Sequence, residues 1–433
     1  MPDSEVLQQM RDDWNRRARE DARYYVACGR RGQPDEEFFA SAGDVVRLLE
    51  DELKRLPRNV PPHARRGLEV GCGPGRLMRP MNRNFGELHG VDVSNEMIRL
   101  AETRFSGASG LHLHVTSGAD LSPLSADYFD FVYSYAVFRH VPSRDVVLAY
   151  FDEIRRVLKP GGIARLHLNG LPPGSKAPDT WDGVRFAPGE IADYARAHDS
   201  QLLALTGAGT PDMWTTWRKQ PAGTRAKFRN PGVPSRIQRC ANTYTGEPVV
   251  PASGRFACES FWMEQLPADC DLNDLKIVFD GAPGMPCYIG PPEPGGLNQL
   301  HVLPPRGLRT GIVPVELLWL EAPLCPPVWL RVVPPGVMTP RFGEVSDGGT
   351  LLPGPRIETG AVKLVMEDLA DEEAVSAAID GRPVEDLEWF SAGGPAGRFE
   401  VNFRLPADLS HGVHQIELRQ GARSFPPVAI EVA

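Results

Sequence analysis

Several features are missing from this 433-residue chain, and each absence excludes something. No run of about 18 apolar residues occurs, so no membrane-crossing helix is expected. The N-terminus, Met1 to Arg17, is charged and has no apolar core segment, which argues against a secretory leader. The seven cysteines, Cys28, Cys72, Cys240, Cys258, Cys270, Cys287 and Cys325, show neither CxxC spacing nor a His-paired pattern. Such a set fits free thiols in a reducing compartment, so a cytoplasmic location and no metal site are expected. Basic residues are scarce in one half only. Met1 to Pro221 carries 29 basic against 30 acidic residues, whereas Ala222 to Ala433 carries 18 against 26. The net charge of −9 therefore lies almost wholly in the second half, whose surface repels phosphate backbones and anionic lipid. Neither nucleic acid nor membrane is an expected partner.

What is present has a globular composition, 42% hydrophobic and 24% charged, at a length that predicts two or three domains. From Val6 to Val26, Leu7, Met10, Trp14 and Ala18 recur at three- and four-residue steps, the pattern of an amphipathic helix closed by Tyr24 and Tyr25. Two readings of it stay open: a surface helix burying Trp14, or a lid over a ligand site with aromatic faces near a cation. A second helix is expected over Asp35 to Leu56, ending before Pro57.

Strand and helix then alternate. Strands are expected at Gly67–Val70, Leu88–Asp92, Leu111–Val115, Phe129–Ser134 and Ile163–Leu168. Helices are expected at Arg76–Asn84, at Asn95–Phe105 behind an N-cap at Ser94, at Asp145–Leu158 and at Gly189–His198. Pro80 fits the first of these only in its opening turn. Two last strands, Gln201–Thr206 and Met213–Trp217, are joined by too short a turn for a crossover and should pair antiparallel. The pattern describes a largely parallel sheet covered on both faces.

Beyond Arg218 the chain becomes proline-rich, with short strand candidates, and repeats itself. Met263-Glu-Gln-Leu266 returns as Met366-Glu-Asp-Leu369, Asp280-Gly-Ala-Pro283 as Asp380-Gly-Arg-Pro383, and Pro326-Pro-Val328 as Pro426-Pro-Val428. Leu308, Gly311, Val315, Glu316 and Leu317 return as Leu409, Gly412, Ile416, Glu417 and Leu418. The offset stays close to 100 residues, so the segment is an internal duplication. Units of that size built from short strands predict two β-sandwiches resembling immunoglobulin-like modules in this general way. The expected division is 1–221, with 1–58 a helical cap; a linker at 222–231; and repeats at 232–335 and 336–433.

The stretch that organises the first half is Glu69-Val-Gly-Cys-Gly-Pro-Gly75, a strand running into a glycine turn where bare backbone can approach a ligand. A dinucleotide fingerprint would need glycine where Arg76 stands, and a P-loop would need Gly-Lys-Ser/Thr. The turn resembles instead that of the class I S-adenosylmethionine-dependent methyltransferases, whose first strand carries an acidic residue and then G-x-G-x-G. Asp92-Val-Ser-Asn-Glu-Met97, Tyr128-Phe-Asp130 and Arg156-Val-Leu-Lys-Pro-Gly-Gly162 resemble further family features in order, and the likeness covers about residues 1 to 220. It implies a Rossmann-like seven-stranded sheet with an antiparallel terminal hairpin.

The resemblance also implies site residues. Glu69, Gly71, Cys72, Gly73 and Gly75 would form the cofactor turn, with Cys72 a small filler; Asp92 would take the ribose hydroxyls, and Val93 and Met97 would pack on adenine. Asp120 is the expected adenine-amine acceptor, Tyr135 would line the methionine end, and Trp14 and Tyr25 would close the site. For chemistry, His140 is a candidate proton acceptor or an orienting residue; Arg139 is a candidate anion holder or one half of a surface ion pair. Trp181, Trp214 and Trp217 read as packing residues. The expected activity is methyl transfer from S-adenosylmethionine to a small-molecule acceptor, oxygen preferred, with the β-repeats recruiting substrate, protein or glycan. The alternatives are a protein methyltransferase or a non-enzymatic scaffold working through its repeats.

Overall fold

The computed structural model describes residues 4–27, 31–174, 176–230, 235–254, 256–335, 341–367, 369, 375–393, 398–421 and 423–433. Cys28 and the repeat boundaries expected at Gly232 and Gly336 lie outside them. Strand β1 (Arg66–Val70) is the centre of the first half, with Leu68 and Val70 buried. It pairs in parallel with β2 (Glu87–Asp92) on one side and β4 (Phe129–Ser134) on the other. Beyond β2 lies β3 (Leu111–Val115), and beyond β4 lies β5 (Leu158–Leu168), both parallel. Strand β7 (Met213–Lys219) is inserted antiparallel between β5 and β6 (Ser200–Thr206). The order is thus β3-β2-β1-β4-β5-β7-β6, and its direction reverses between β1 and β4. Loops leaving such a switch point diverge and open a crevice at the carboxyl ends of the strands.

The sheet does not end at the hairpin, as a seven-stranded expectation has it. Its outer edge at β6 is taken up by Met285–Ile289, Tyr288 lying opposite Ala204, and the sheet runs on to eleven strands. An open edge strand carries unpaired backbone groups, and a neighbouring strand satisfies them.

Helix α1 (Ser4–Ala27) is kinked at Asp21, whose φ of −168° and ψ of 87° are not helical. The single helix expected at Asp35–Leu56 is two, α2 (Asp35–Ala40) and α3 (Gly43–Leu53). Ser41 ends the first by donating its hydroxyl to the Phe38 carbonyl at 2.6 Å, the local competition that makes serine a poor helix interior residue. The helix expected from Arg76 is only α4 (Met78–Met81) followed by a 3₁₀ turn, a start that puts Pro80 in the opening turn. Helix α5 (Asn95–Arg104) is capped by Ser94, whose hydroxyl accepts from the Met97 amide at 3.1 Å. Strand β5 begins at Leu158 and includes Lys159–Gly162, where a turn was expected. Helices α6 (Arg144–Val157) and α7 (Pro188–Ala197) complete the first half. Among the described residues no helix is long and apolar enough to cross a membrane.

The second half is nearly all strand. Residues 236–333 contribute Met285–Ile289, Asn298–Leu303, Glu259–Glu264 and Arg236–Asn242 to the large sheet, in that spatial order. They also build a second sheet around Leu275–Phe279, Gly311–Trp319 and Val328–Val333. Residues 341–432 repeat the scheme: Glu388–Gly393, Arg398–Arg404, Ala361–Glu367 and Arg341–Asp347 form one sheet, and Val375–Ile379, Gly412–Gln420 and Val428–Val432 the centre of another. Even a parallel pairing recurs, Val249–Pro251 on Val328–Val333 and Arg356–Ile357 on Val428–Val432.

Candidate active site

Four segments meet at the crevice: the glycine turn after β1, the end of β2, the loop after β4, and α1 lying across them. The turn is closed by the Val91 carbonyl, which accepts from the Gly71 and Cys72 amides at 2.8 and 3.0 Å. Gly71 has φ +75°, and a Cβ there would sit 2.2 Å from the Val137 side chain. Any other residue would be strained and would push the loop after β4 out of place. Asp92 ties the turn to the next helix, accepting from the Gly73 amide at 2.9 Å and the Ser94 amide at 2.8 Å. Burial nevertheless raises its pKa to about 6.

Glu69 is a second buried carboxyl. Burial pushes its pKa up to about 8, against the Tyr133 hydroxyl that donates to it at 2.9 Å and the Arg76 charge. The Cys72 thiol is held well above its ordinary value by burial, with Asp92 and Glu69 adding to the effect, so it is no nucleophile.

His140 ends a short 3₁₀ turn after β4. Its Nδ1 lies 2.5 Å from the Trp181 carbonyl; a carbonyl only accepts, so Nδ1 carries the proton and Nε2 the lone pair. Burial, helped by the Arg139 charge, drives its pKa to about 3, so the ring is neutral at any working pH. Trp14 meets it edge-on with centroids 5.6 Å apart. The same loop holds Ala136 at φ +55°, a conformation rare outside glycine. It is maintained by the Ala136 amide donating to His167 Nδ1 at 3.1 Å, while His167 Nε2 donates to Asp212 at 3.1 Å.

Helix α1 is fixed over the site by Asn15, whose carbonyl oxygen accepts from the Ser94 hydroxyl at 2.7 Å and the Glu96 amide at 3.2 Å. Arg17 anchors it further, donating to the Thr180 carbonyl at 2.8 Å. Trp14 and Tyr25 of this helix both line the crevice.

The cavity so formed has about 900 Å³, its open mouth included, and is lined by eleven of the expected residues: Trp14, Tyr25, Glu69, Gly71, Cys72, Gly73, Asp92, Val93, Met97, Tyr135 and His140. Three expected residues are not in its lining. Arg139 pairs with Asp212 at 3.3 Å, the ion-pair alternative. Asp120 accepts from the Ser117 hydroxyl and from the Ser122 amide at 2.9 Å, within its own turn and outside the cavity lining. Gly75, at φ +87°, serves packing, since a Cβ there would strike the Phe105 ring at 2.3 Å.

Met10, Val26, Arg76, Leu77, Val137, Val141 and Tyr150 also line the cavity. Arg76 carried a signal, since it stands where a dinucleotide turn has glycine; its guanidinium bonds Ser41 and lies 5.4 Å from the Tyr135 ring. Tyr150 sits on the buried stripe of α6 and is indistinguishable in sequence from core. Strands β2 and β3 bring Glu87, His89 and His112 together at the far end of the sheet from the cavity.

Residues 68–166 match the family model of a methyltransferase domain. The ubiquinone biosynthesis O-methyltransferase of Cereibacter sphaeroides is 33% identical over 121 residues, 28% of this chain and 47% of that protein. The malonyl-[acyl-carrier protein] O-methyltransferase of Enterobacter lignolyticus is 34% identical over 147 residues, 33% of this chain and 54% of that protein. The chain spans about half the length of these curated relatives. Among solved structures, the magnesium protoporphyrin IX methyltransferase of Synechocystis with bound S-adenosylmethionine aligns with a TM-score of 0.37 at 15% identity, covering 50% of this chain and 97% of that one. The chain therefore carries a methyltransferase domain of the S-adenosylmethionine-dependent kind.

Proposed function

We propose that the protein transfers a methyl group from S-adenosylmethionine to a small-molecule acceptor, preferably at oxygen. The observation that carries this reading is one cavity in which the glycine turn, the buried carboxyls of Glu69 and Asp92 and the neutral His140 converge. When bound, the cofactor supplies a methyl on a cationic sulfonium, a leaving group that needs no protonation. The residues fit such a ligand: Gly71, where a Cβ would collide with Val137, lets the turn and the loop after β4 pack together at the crevice, and a cation beside Glu69 would favour its ionised form. Asp92 is placed for hydroxyl donors, and Val93, Met97 and Tyr135 offer apolar and aromatic faces.

What remains for the protein is to hold the acceptor in line and away from water. Trp14 and Tyr25 exclude water from above. His140, which burial keeps neutral, orients the acceptor hydroxyl by accepting its hydrogen bond at Nε2. Both relatives named above are O-methyltransferases by name, which supports oxygen as the acceptor atom.

We divide the chain as 1–221, with residues 1–58 a helical cap, a linker at 222–231, and immunoglobulin-like β-sandwiches at 232–335 and 336–433. A recruiting role for the second sandwich is supported by two contacts that join it to the first half. Tyr24 donates to the Gly349 carbonyl at 3.0 Å, and Arg185 pairs with Glu388 at 2.5 Å. A cytoplasmic site of action is supported by six described cysteines that are all unpaired.

Calorimetric titration with S-adenosylmethionine tests the reading. The wild type should bind; Asp92→Ala should weaken binding by about 10- to 100-fold, the worth of a hydrogen bond to a charged group, and Gly71→Ala should abolish it. Isotopically labelled cofactor with cell extract then reveals which species gains the methyl. No binding by the wild type sinks the enzyme reading in favour of a scaffold, and label appearing on polypeptide favours protein methylation.

A further inference from the structure

The group at the far end of the sheet has chemistry that the methyltransferase site does not use. Glu87 and His89 are two apart on β2 and so project from one face, and His112 on β3 is the register partner of His89. Their ligand atoms all lie within 4.8 Å of one another. The His89 and His112 rings are 4.5 Å apart, and a third imidazole, His114, follows two residues along on the same face of β3. We propose that Glu87, His89 and His112 bind a borderline divalent metal ion such as Zn²⁺, with His114 and Tyr128 orienting the ligands.

Three observations carry the assignment. His89 Nε2 is buried and has no partner within hydrogen-bond distance, its carboxylate neighbour Glu87 Oε2 standing 3.8 Å away. His89 Nδ1 lies 3.2 Å from His114 Nε2, and in the tautomer in which His89 donates to His114 the His89 lone pair lies on Nε2. An outer partner that sets the tautomer in this way is characteristic of metal-ligating histidine. Glu87 is likewise oriented through one oxygen: Tyr128 donates to Oε2 at 2.5 Å, and Arg66 and His89 Nε2 approach the same oxygen at 3.4 and 3.8 Å.

The geometry suits a small ion. Ligand bonds of about 2.0–2.2 Å in tetrahedral array put ligand atoms roughly 3.4 Å apart, so the group must close by about 1 Å. The side chain of His112 is exposed and can move. That exposure also leaves the fourth position open to water. Two imidazoles and one carboxylate select Zn²⁺ and its neighbours over Mg²⁺ or Ca²⁺, which take oxygen ligands. Glu87 and Asp92 stand at opposite ends of β2, roughly 17 Å apart at about 3.3 Å per residue. The ion therefore clamps the edge strand β3 to β2 and does not enter the methyl-transfer cavity.

Untagged full-length protein, freed of metal by chelator and dialysis, is titrated with Zn²⁺ by calorimetry, and the Co²⁺ form is read by its visible absorption. One ion per chain and a Co²⁺ spectrum with nitrogen and oxygen ligation are expected. His112→Ala, at an exposed position that leaves the fold intact, should lower affinity more than tenfold, as should Glu87→Gln, and His114→Gln should lower it about 10- to 100-fold. S-adenosylmethionine binding should be the same in all three variants. No stoichiometric uptake by the wild type, or equal uptake by His112→Ala, overturns the proposal.

Discussion

The two β-repeats share strand order, parallel pairing and a sequence offset near 100 residues, yet they are attached to the rest of the molecule in different ways. The first is built in. Its edge strand Met285–Ile289 continues the large sheet from β6, and one hydrophobic cluster runs from Leu49, Leu77 and Met81 to Phe261, Phe279 and Trp319. Buried polar contacts seal the join: Arg55 donates to the Ile289 carbonyl at 2.6 Å, and Gln201 donates to the Ala268 and Cys270 carbonyls at 2.7 and 2.9 Å. The second repeat has a core of its own around Leu364, Ile379, Val401 and Ile416, and it reaches the first half through contacts such as Tyr24 with Gly349 and Arg185 with Glu388. The corresponding edge strands read MPCYI and EWFSAG. An apolar edge joins a sheet, whereas one that opens on a carboxylate resists joining.

The largest effect should come from breaking the built-in join. Arg55 and Glu52 form an ion pair with side chains 1% and 4% exposed. Arg55→Ala leaves Glu52 buried without its nearest charge, at a cost of about 3–5 kcal/mol by chemical denaturation at pH 7. The pH dependence follows from Glu52, whose pKa is held below the ordinary carboxyl value by Arg55 and Arg165 against its burial. A depressed folded pKa contributes stability that is present above the unfolded value, about 4.3, and is lost as pH falls through the folded one. In Arg55→Ala the carboxyl can escape its penalty by protonating, so the deficit should shrink from pH 7 toward pH 4. A deficit that does not change with pH would mean that the Ile289 bond, not the charge, is what the join needs.

The next effect separates the cores. Phe279 and Ile379 occupy equivalent buried positions, opposite Val315 and Ile416. Phe279→Ala should cost about 3–5 kcal/mol and Ile379→Ala about 2–5 kcal/mol, but in different transitions of a calorimetric scan. The first should lower the transition that S-adenosylmethionine raises. The second should lower a separate transition that the cofactor does not touch. If both variants move one common transition, the two repeats are coupled and the contrast fails.

How much of this was legible in sequence depends on the range of the interaction. The glycine turn, the acidic end of β2 and the alternation of strand and helix are local, and the residues that mark them gather at the crevice. The repeats were visible as recurring Asp-Gly and Pro-Pro segments because turn chemistry survives duplication. What was hidden depends on register or docking. Asp120 and Arg139 carry suitable groups, but the fold sets them outside the cavity lining, beside Ser117 and Asp212. Glu87, His89 and His112 are 25 residues apart end to end and become neighbours only through the pairing of β2 with β3. The continuation of the sheet through β6 rests on Tyr288 meeting Ala204, two strands more than 80 residues apart, and no local pattern announces it.

The smallest effect tests the looser attachment. Glu388 is 39% exposed and its partner Arg185 13%, so their ion pair works against solvent screening. Arg185 also bonds Asp182 at 3.0 Å and the Pro172 carbonyl at 2.9 Å, and these keep it in place when Glu388 is removed. Glu388→Ala should therefore change stability by about 0–1 kcal/mol, within a degree or so of the wild-type melting profile. Its value lies in the kinetics. If the second repeat recruits the acceptor, loosening it should raise the acceptor's KM while leaving cofactor binding and kcat alone, because the cavity itself is unaltered. An unchanged KM would show that methyl transfer proceeds without that contact, and the second repeat would then have to serve a partner other than the acceptor.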